Sequence, residues 1–130
     1  MKLEDYLKNG KIFVRKGTFA IVKSRKSLPN FFAVVKDGSE ITCVIDQSKI
    51  KINENIIKIE KNWKILTLDI VFPLNVVGVT AKISSTLSKA DVSIFPISAY
   101  SRDHFLIKEM DLSKTIKALR KIGLTIKINQ

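Results

Sequence analysis

One cysteine, one histidine and a short polar hairpin are where chemistry could reside in this 130-residue sequence. Cys43 lies in the apolar run Ile41-Thr42-Cys43-Val44-Ile45 and reads as a small buried hydrophobe, not a reactive thiolate. His104 opens the run His104-Phe105-Leu106-Ile107 with no Cys or Ser at a recognisable spacing, so no nucleophile and base can be paired. A lone thiol makes no internal disulfide, and with a single histidine it falls short of the four ligands of a structural zinc site. The Gly-rich phosphate loops and the H-E-x-x-H pair of zinc hydrolases are missing as well. The residues thus point away from an enzyme, with no catalytic residue, metal ligand or cofactor site expected.

Binding is the chemistry that remains. The stretch Phe72-Pro73-Leu74-Asn75-Val76-Val77-Gly78 leads into a helical pattern. A helix N-terminus carries free N–H groups and partial positive charge that suit a carboxylate, and a glycine there lets a ligand approach the backbone closely. Asn75 either caps that helix or hydrogen-bonds a ligand, and Asn75 and Gly78 also have a purely local reading as turn and cap residues. Tyr100-Ser101-Arg102-Asp103 has the length and polarity of a hairpin turn, where Asp is common for local reasons. Arg102 offers either a bidentate grip on a carboxylate or a plain surface charge.

The elements that must position these residues follow from the hydrophobic period. Trp63 to Val71 alternates as a strand. Val79, Ile83, Leu87 and Ala90 then recur at helical spacing within Val76 to Ala90, with Lys82, Ser85 and Lys89 on the other face. Val92 to Ser98 is a second strand whose Pro96 belongs at an edge or a bulge, and His104 to Lys108 is a third. Asp111 to Lys121 is a helix with Asp111 at its N-cap and Leu112, Ile116 and Leu119 as its buried stripe; Gly123 ends it, and Leu124 to Ile128 makes a last strand. The order β-α-β-β-α-β is the ferredoxin-like arrangement, an α+β fold with an antiparallel sheet and both helices on one face.

The first half repeats this plan in reduced form. Thr18 to Lys23 is a strand, Ser24 to Asn30 stands where a helix would be, and Phe31 to Val35 and Glu40 to Ile45 flank the Asp37-Gly38 turn. Gln47 to Lys51 is one helical turn and Ile56 to Ile59 a short final strand, while Ile12 to Arg15 adds a strand and Leu3, Tyr6 and Leu7 a docking helix. Two domains are expected, residues 1–62 and 63–130. Phe95 and Ile97, near Trp63 and Ile65 on the sheet face without helices, make an apolar surface that calls for a second copy, so at least a dimer is expected.

Composition sets the remaining bounds. The chain is 45% hydrophobic with a mean hydropathy of +0.10, an ordinary globular profile. No leader-like segment opens it and no apolar run approaches the ~18 residues of a membrane span, so a cytoplasmic protein is expected. A net charge of +11 invites a nucleic-acid reading. The charge divides evenly, +6 over residues 1–62 and +5 over 63–130, and the expected middle strands offer only Phe95 and Phe105 for base stacking, so nucleic acid is disfavoured as a partner.

Phe72-Pro73-Leu74-Asn75-Val76-Val77-Gly78-Val79, then Ile83-Ser84, Ala90-Asp91-Val92-Ser93-Ile94 and Ile97-Ser98-Ala99-Tyr100-Ser101-Arg102-Asp103-His104 resemble the small paired ACT-domain proteins, a group similar to the ligand-binding ACT pairs of aspartokinases. Gly17-Thr18-Phe19-Ala20-Ile21-Val22, Ser39 to Ile45 and Trp63 extend the resemblance to about residues 11–128. It implies a non-catalytic regulatory or sensor module that binds an amino acid or similar small carboxylate and works as a homo-oligomer. The effector would lie by the Phe72 to Gly78 loop, held by Asn75, Val76, Val77 and Gly78, with Asp103 receiving the α-amino group and Ser98, Tyr100 and Arg102 lining the pocket. Arg102 stands where the family usually has a small Thr, which leaves the ligand's identity open. The alternative is a basic nucleic-acid- or partner-binding module without a small ligand.

Overall fold

A computed structural model describes residues 3–69 and 78–128. Helix α1 (Leu3–Lys8) is followed by β1 (Lys11–Val14), β2 (Phe19–Ser24), β3 (Phe31–Asp37), β4 (Glu40–Asp46) and β5 (Ile56–Asp69). Then come α2 (Val79–Lys89), β6 (Phe95–Ser98), β7 (Asp103–Lys108), α3 (Leu112–Lys121) and β8 (Thr125–Ile128). The chain forms two units, one of residues 17–63 and one of residues 1–16 with 64–130, and this α+β architecture is ACT-like and ferredoxin-like.

In the larger unit the strands lie in the order β6-β7-β5-β1-β8. Alternation along each strand sends one set of side chains to the helices. Ile12 and Val14 of β1, Leu66 and Leu68 of β5, Phe105 and Ile107 of β7 and Ile126 of β8 form one buried core with Val79, Ile83 and Leu87 of α2 and Leu119 of α3. Leu7 of α1 joins the same core.

The insertion of β1 departs from the sequence reading, which groups residues 1–16 with the first half. β1 pairs antiparallel with β5 (Ile12↔Leu68, Val14↔Leu66) and parallel with β8 (Ile12↔Ile126, Val14↔Ile128). Because β1 and β8 both run opposite to β5, they run with each other, so the sheet is not wholly antiparallel as expected. The cause is local: Ile12 and Val14 are 0% and 1% exposed, and this is where the chain gives them a core.

The sheet face away from the helices also differs from expectation. In the larger unit Ile65, Thr67 and Leu106 are buried there, and Phe95 and Ile97 are half-buried. That face is therefore not the open apolar surface from which a dimer is expected. Pro96 sits on β6, an edge strand paired with β7, where its missing N–H costs no ladder bond.

The smaller unit has the order β3-β4-β2-β5, closed over Ala20, Val22, Leu28, Cys43 and Ile45. Its reduced connections take the expected form: residues 25–30 are irregular, and Gln47–Lys49 is a single 3₁₀ turn. The short strand expected at Ile56 to Ile59 and the one expected from Trp63 are a single 14-residue strand. The polar Glu60-Lys61-Asn62 is a bulge in it and not a break, since Phe19 faces Trp63 whereas Ile21 faces Glu60, and Asn62 takes φ 70. At the start of the unit Gly17 has φ 99, and a Cβ there would lie 2.9 Å from Asp46 Oδ2.

Candidate functional site

The start of α2 and the mouth of the β6–β7 hairpin meet in the larger unit. Gly78 occupies the N-cap of α2 at φ 98, a conformation open to glycine and strained for L side chains. The first intrahelical bond runs from Lys82 N–H to the Gly78 carbonyl at 2.8 Å. The preceding N–H groups in that turn have no partner within the helix, the general condition of helix starts.

On the hairpin side, Ser98 and Asp103 face each other as the last pair of β6 and β7. Ala99 N–H donates to the Arg102 carbonyl at 3.0 Å and closes the turn. Thr80 Oγ1, in the first turn of α2, donates to Asp103 Oδ2 at 3.3 Å and ties helix to hairpin. Between them lies a cleft of about 30 Å³ whose walls include Leu68, Ile83, Ile94 and Phe105 and whose rim carries Thr80, Ser84, Ser98 and Asp103.

Of the expected site residues, Ser98 and Asp103 border this cleft, and Gly78 begins the helix that forms its other wall. Asn75, Val76 and Val77, with the rest of the Phe72 loop, lie outside the described residues. Tyr100 is 103% exposed at the hairpin tip, and Arg102 turns to Asp69, Nη2 to Oδ1 at 3.5 Å. Neither borders the cleft.

The sequence reading does not place Thr80, Ser84, Ile94 or Phe105 in the site, and Phe105 figures there only as a candidate for base stacking. Thr80 and Ser84 did carry a signal: they fall at i and i+4 beside the buried Ile83, so both flank the core stripe of α2.

His104 also borders the cleft, but through its backbone. Phe105 and Leu68 point to the helices, so alternation puts the side chains of His104 and Thr67 on the opposite face. There His104 Nδ1 and Thr67 Oγ1 are 2.8 Å apart, and Thr67 is 1% exposed. Burial lowers the imidazole pKa below its ordinary value; the Arg15 and Arg102 charges add to this and Asp103 opposes it. His104, the second residue of β7, is thus a half-buried partner of Thr67 in the sheet. Among the described residues no group of three His, Cys, Asp or Glu stands close enough to hold a metal ion, and no helix is long and apolar enough to cross a membrane.

Residues 58–121 match the family model of the ACT domain. No curated protein matches the sequence. Among solved structures, a protein from Agobacterium tumefaciens aligns with TM-score 0.76 at 21% identity, covering 93% of this chain and 94% of that one. A Vibrio cholerae protein of unknown function, described as a possible transport protein, aligns with TM-score 0.74 at 18% identity over 93% and 95%. The ligand-free regulatory subunit of aspartate kinase from Thermus thermophilus aligns with TM-score 0.67 at 9% identity over 89% and 97%. At these identities the likeness is one of fold.

Proposed function

The chain carries an ACT domain in residues 58–121, and on that premise we propose that it is a non-catalytic regulatory module that binds a small carboxylate metabolite, an amino acid in the first instance. The observation that supports this reading most is the convergence of the α2 start and the Ser98–Asp103 strand ends on one cleft, joined by the Thr80–Asp103 hydrogen bond. A zwitterion has complementary partners there. Its carboxylate would lie at the cleft mouth against the first N–H groups of α2, beside the backbone of Gly78, and its ammonium group would replace Thr80 as the partner of Asp103. The module would act as a homo-oligomer and pass its signal to a partner protein.

The experiment is a thermal-shift screen with the twenty amino acids. A ligand at 100 times its dissociation constant adds about 2.7 kcal/mol, or roughly 5 to 20 °C at about 2 to 8 °C for each kcal/mol. A chain that shifts with none of them does not fit this reading.

A second reading rests on an observation on α3. Ser113, Ile116, Lys117, Arg120 and Lys121 border an open groove of about 560 Å³. Three cations on one helix face suit an anionic partner, which would make the module a docking protein without a small ligand. Arg120 and Lys121 also lie in the last turn of α3, where a cation stabilises any helix, and this weakens the second reading.

A further inference from the structure

We infer that β8 and the flank of α3 beside it form a docking surface for an extended acidic peptide, which adds a strand to the open edge of the sheet. The inference rests on the second reading, an anionic partner at α3, and gives that partner a backbone geometry. It is independent of the cleft at the start of α2.

The open edge is the first argument. In the larger unit β8 pairs with β1 on one side and, among the described residues, with no strand on the other. Thr125 N–H donates to the Gly10 carbonyl at 3.1 Å, so Thr125 directs its backbone groups toward β1. Backbone groups of successive strand residues turn to opposite sides, which leaves those of Ile126 and Ile128 at the open edge. Such an edge is a template for a further strand. The opposite edge strand, β6, lacks one donor at Pro96, whereas β8 contains no proline.

The side chains around that edge decide its occupant. Leu119 of α3 shares a core with Ile126, and Lys114 Nζ donates to the Asp91 carbonyl just beyond α2 at 3.1 Å. The Lys114 flank of α3 therefore faces α2. At 100° per residue, Ile116 and Arg120 lie on the other flank, toward the edge of β8, and Lys117 lies beside them. Ile128 is on the same face of β8 as the buried Ile126 and is 48% exposed, an apolar seat at the foot of that flank. Lys117, Arg120 and Lys121 are exposed and form no ion pair among the described residues, while Lys114 is paired with Asp111. No acidic residue occurs from Leu112 to Lys121, and Lys127 adds an exposed cation on the far face of β8. Two copies joined edge to edge would bring these like charges together, which is unfavourable, whereas an acidic strand is complementary to them.

Fluorescence anisotropy on the full chain tests this with a labelled eight-residue peptide of alternating glutamate and valine. It should bind, and a peptide of alternating lysine and valine should not. Methylation of alternate backbone nitrogens leaves the peptide's charge and removes the donors of one edge, so affinity should fall at least about tenfold. Ile128→Pro removes an outward N–H where an edge strand tolerates proline, and should weaken binding similarly with an unchanged circular dichroism spectrum. Lys117→Glu combined with Arg120→Glu should weaken it roughly tenfold or more. If the methylated peptide and Ile128→Pro bind as tightly as their parents, strand addition is wrong while an anionic partner at α3 stands. If the acidic peptide does not bind at all, both fall. If sedimentation shows a wild-type dimer that Ile128→Pro dissociates, the edge belongs to a second copy and the inference fails.

Discussion

Gln47 and Asn62 hold each other through two hydrogen bonds: Gln47 Nε2 donates to Asn62 Oδ1 at 3.2 Å, and the Asn62 backbone N–H donates to Gln47 Oε1 at 2.9 Å. Gln47 also donates its own backbone N–H to the Thr18 carbonyl at 3.0 Å. The 3₁₀ turn after β4 thereby fixes the bulge of β5 at its residue with φ 70, a conformation that Asn tolerates and β-branched residues do not.

Replacement of Asn62 should therefore depend on shape more than polarity. Asn62→Gly keeps the conformation and should change stability by no more than about 1 kcal/mol, the size of one exposed hydrogen bond. Asn62→Val adds left-handed strain and should cost roughly 2 to 3 kcal/mol in all. Urea unfolding of the two variants measures the difference, and equal losses would show that the bulge does not require its backbone geometry.

The place of β1 has a direct consequence for stability. Ile12 and Leu66 are both fully buried in one core, so Ile12→Ala should cost about as much as Leu66→Ala, roughly 2 to 5 kcal/mol each. Were β1 only an appendage, Ile12→Ala would cost well under 1 kcal/mol in the same unfolding experiment, at the scale of surface substitutions.

His104 gives the fold a pH dependence with a definite sign. Its imidazole pKa is lowered in the folded chain, so below the ordinary value of 6.5 the unfolded chain binds more protons than the folded one. Stability contributed by the neutral imidazole is complete above about pH 6.5 and is lost as the pH falls through the lower folded value. His104→Asn should flatten the decline of stability between about pH 6.5 and 5, above the range where carboxylates titrate. The chain has a single histidine, so its NMR titration needs no assignment, and a midpoint at or above 6.5 would contradict the burial argument.

Gly78 tests the entrance to α2. At φ 98 an alanine is strained by about 1 to 3 kcal/mol, and Gly78→Ala should lower the melting temperature accordingly. An unchanged melting temperature would mean that this turn relaxes at no cost.

Much of this architecture was legible because burial and period agree. Val79, Ile83 and Leu87 on α2 and Phe105 and Ile107 on β7 declare their inner face by spacing alone. The place of β1 is not legible, because the four residues Lys11–Val14 show which side chains are buried but not against which sheet. The 14 residues of β5 look like two strands in the sequence because a bulge carrying Glu60, Lys61 and Asn62 has the composition of a turn. Ser98 and Asp103 were visible as hairpin residues. Thr80 and Ser84 were not, since a hydroxyl on a helix becomes a site residue only when tertiary packing brings a hairpin against it.

The proposed function requires that Asp103 hold a zwitterionic ligand at the cleft beside the α2 start. Calorimetry of wild type and Asp103→Ala, with whichever amino acid raises the melting temperature, tests it most directly. Loss of one charge-assisted hydrogen bond costs about 1.5 to 3 kcal/mol, so Asp103→Ala should bind roughly ten- to a hundredfold more weakly. An Asp103→Ala variant that binds the same amino acid as tightly as wild type would contradict the claim.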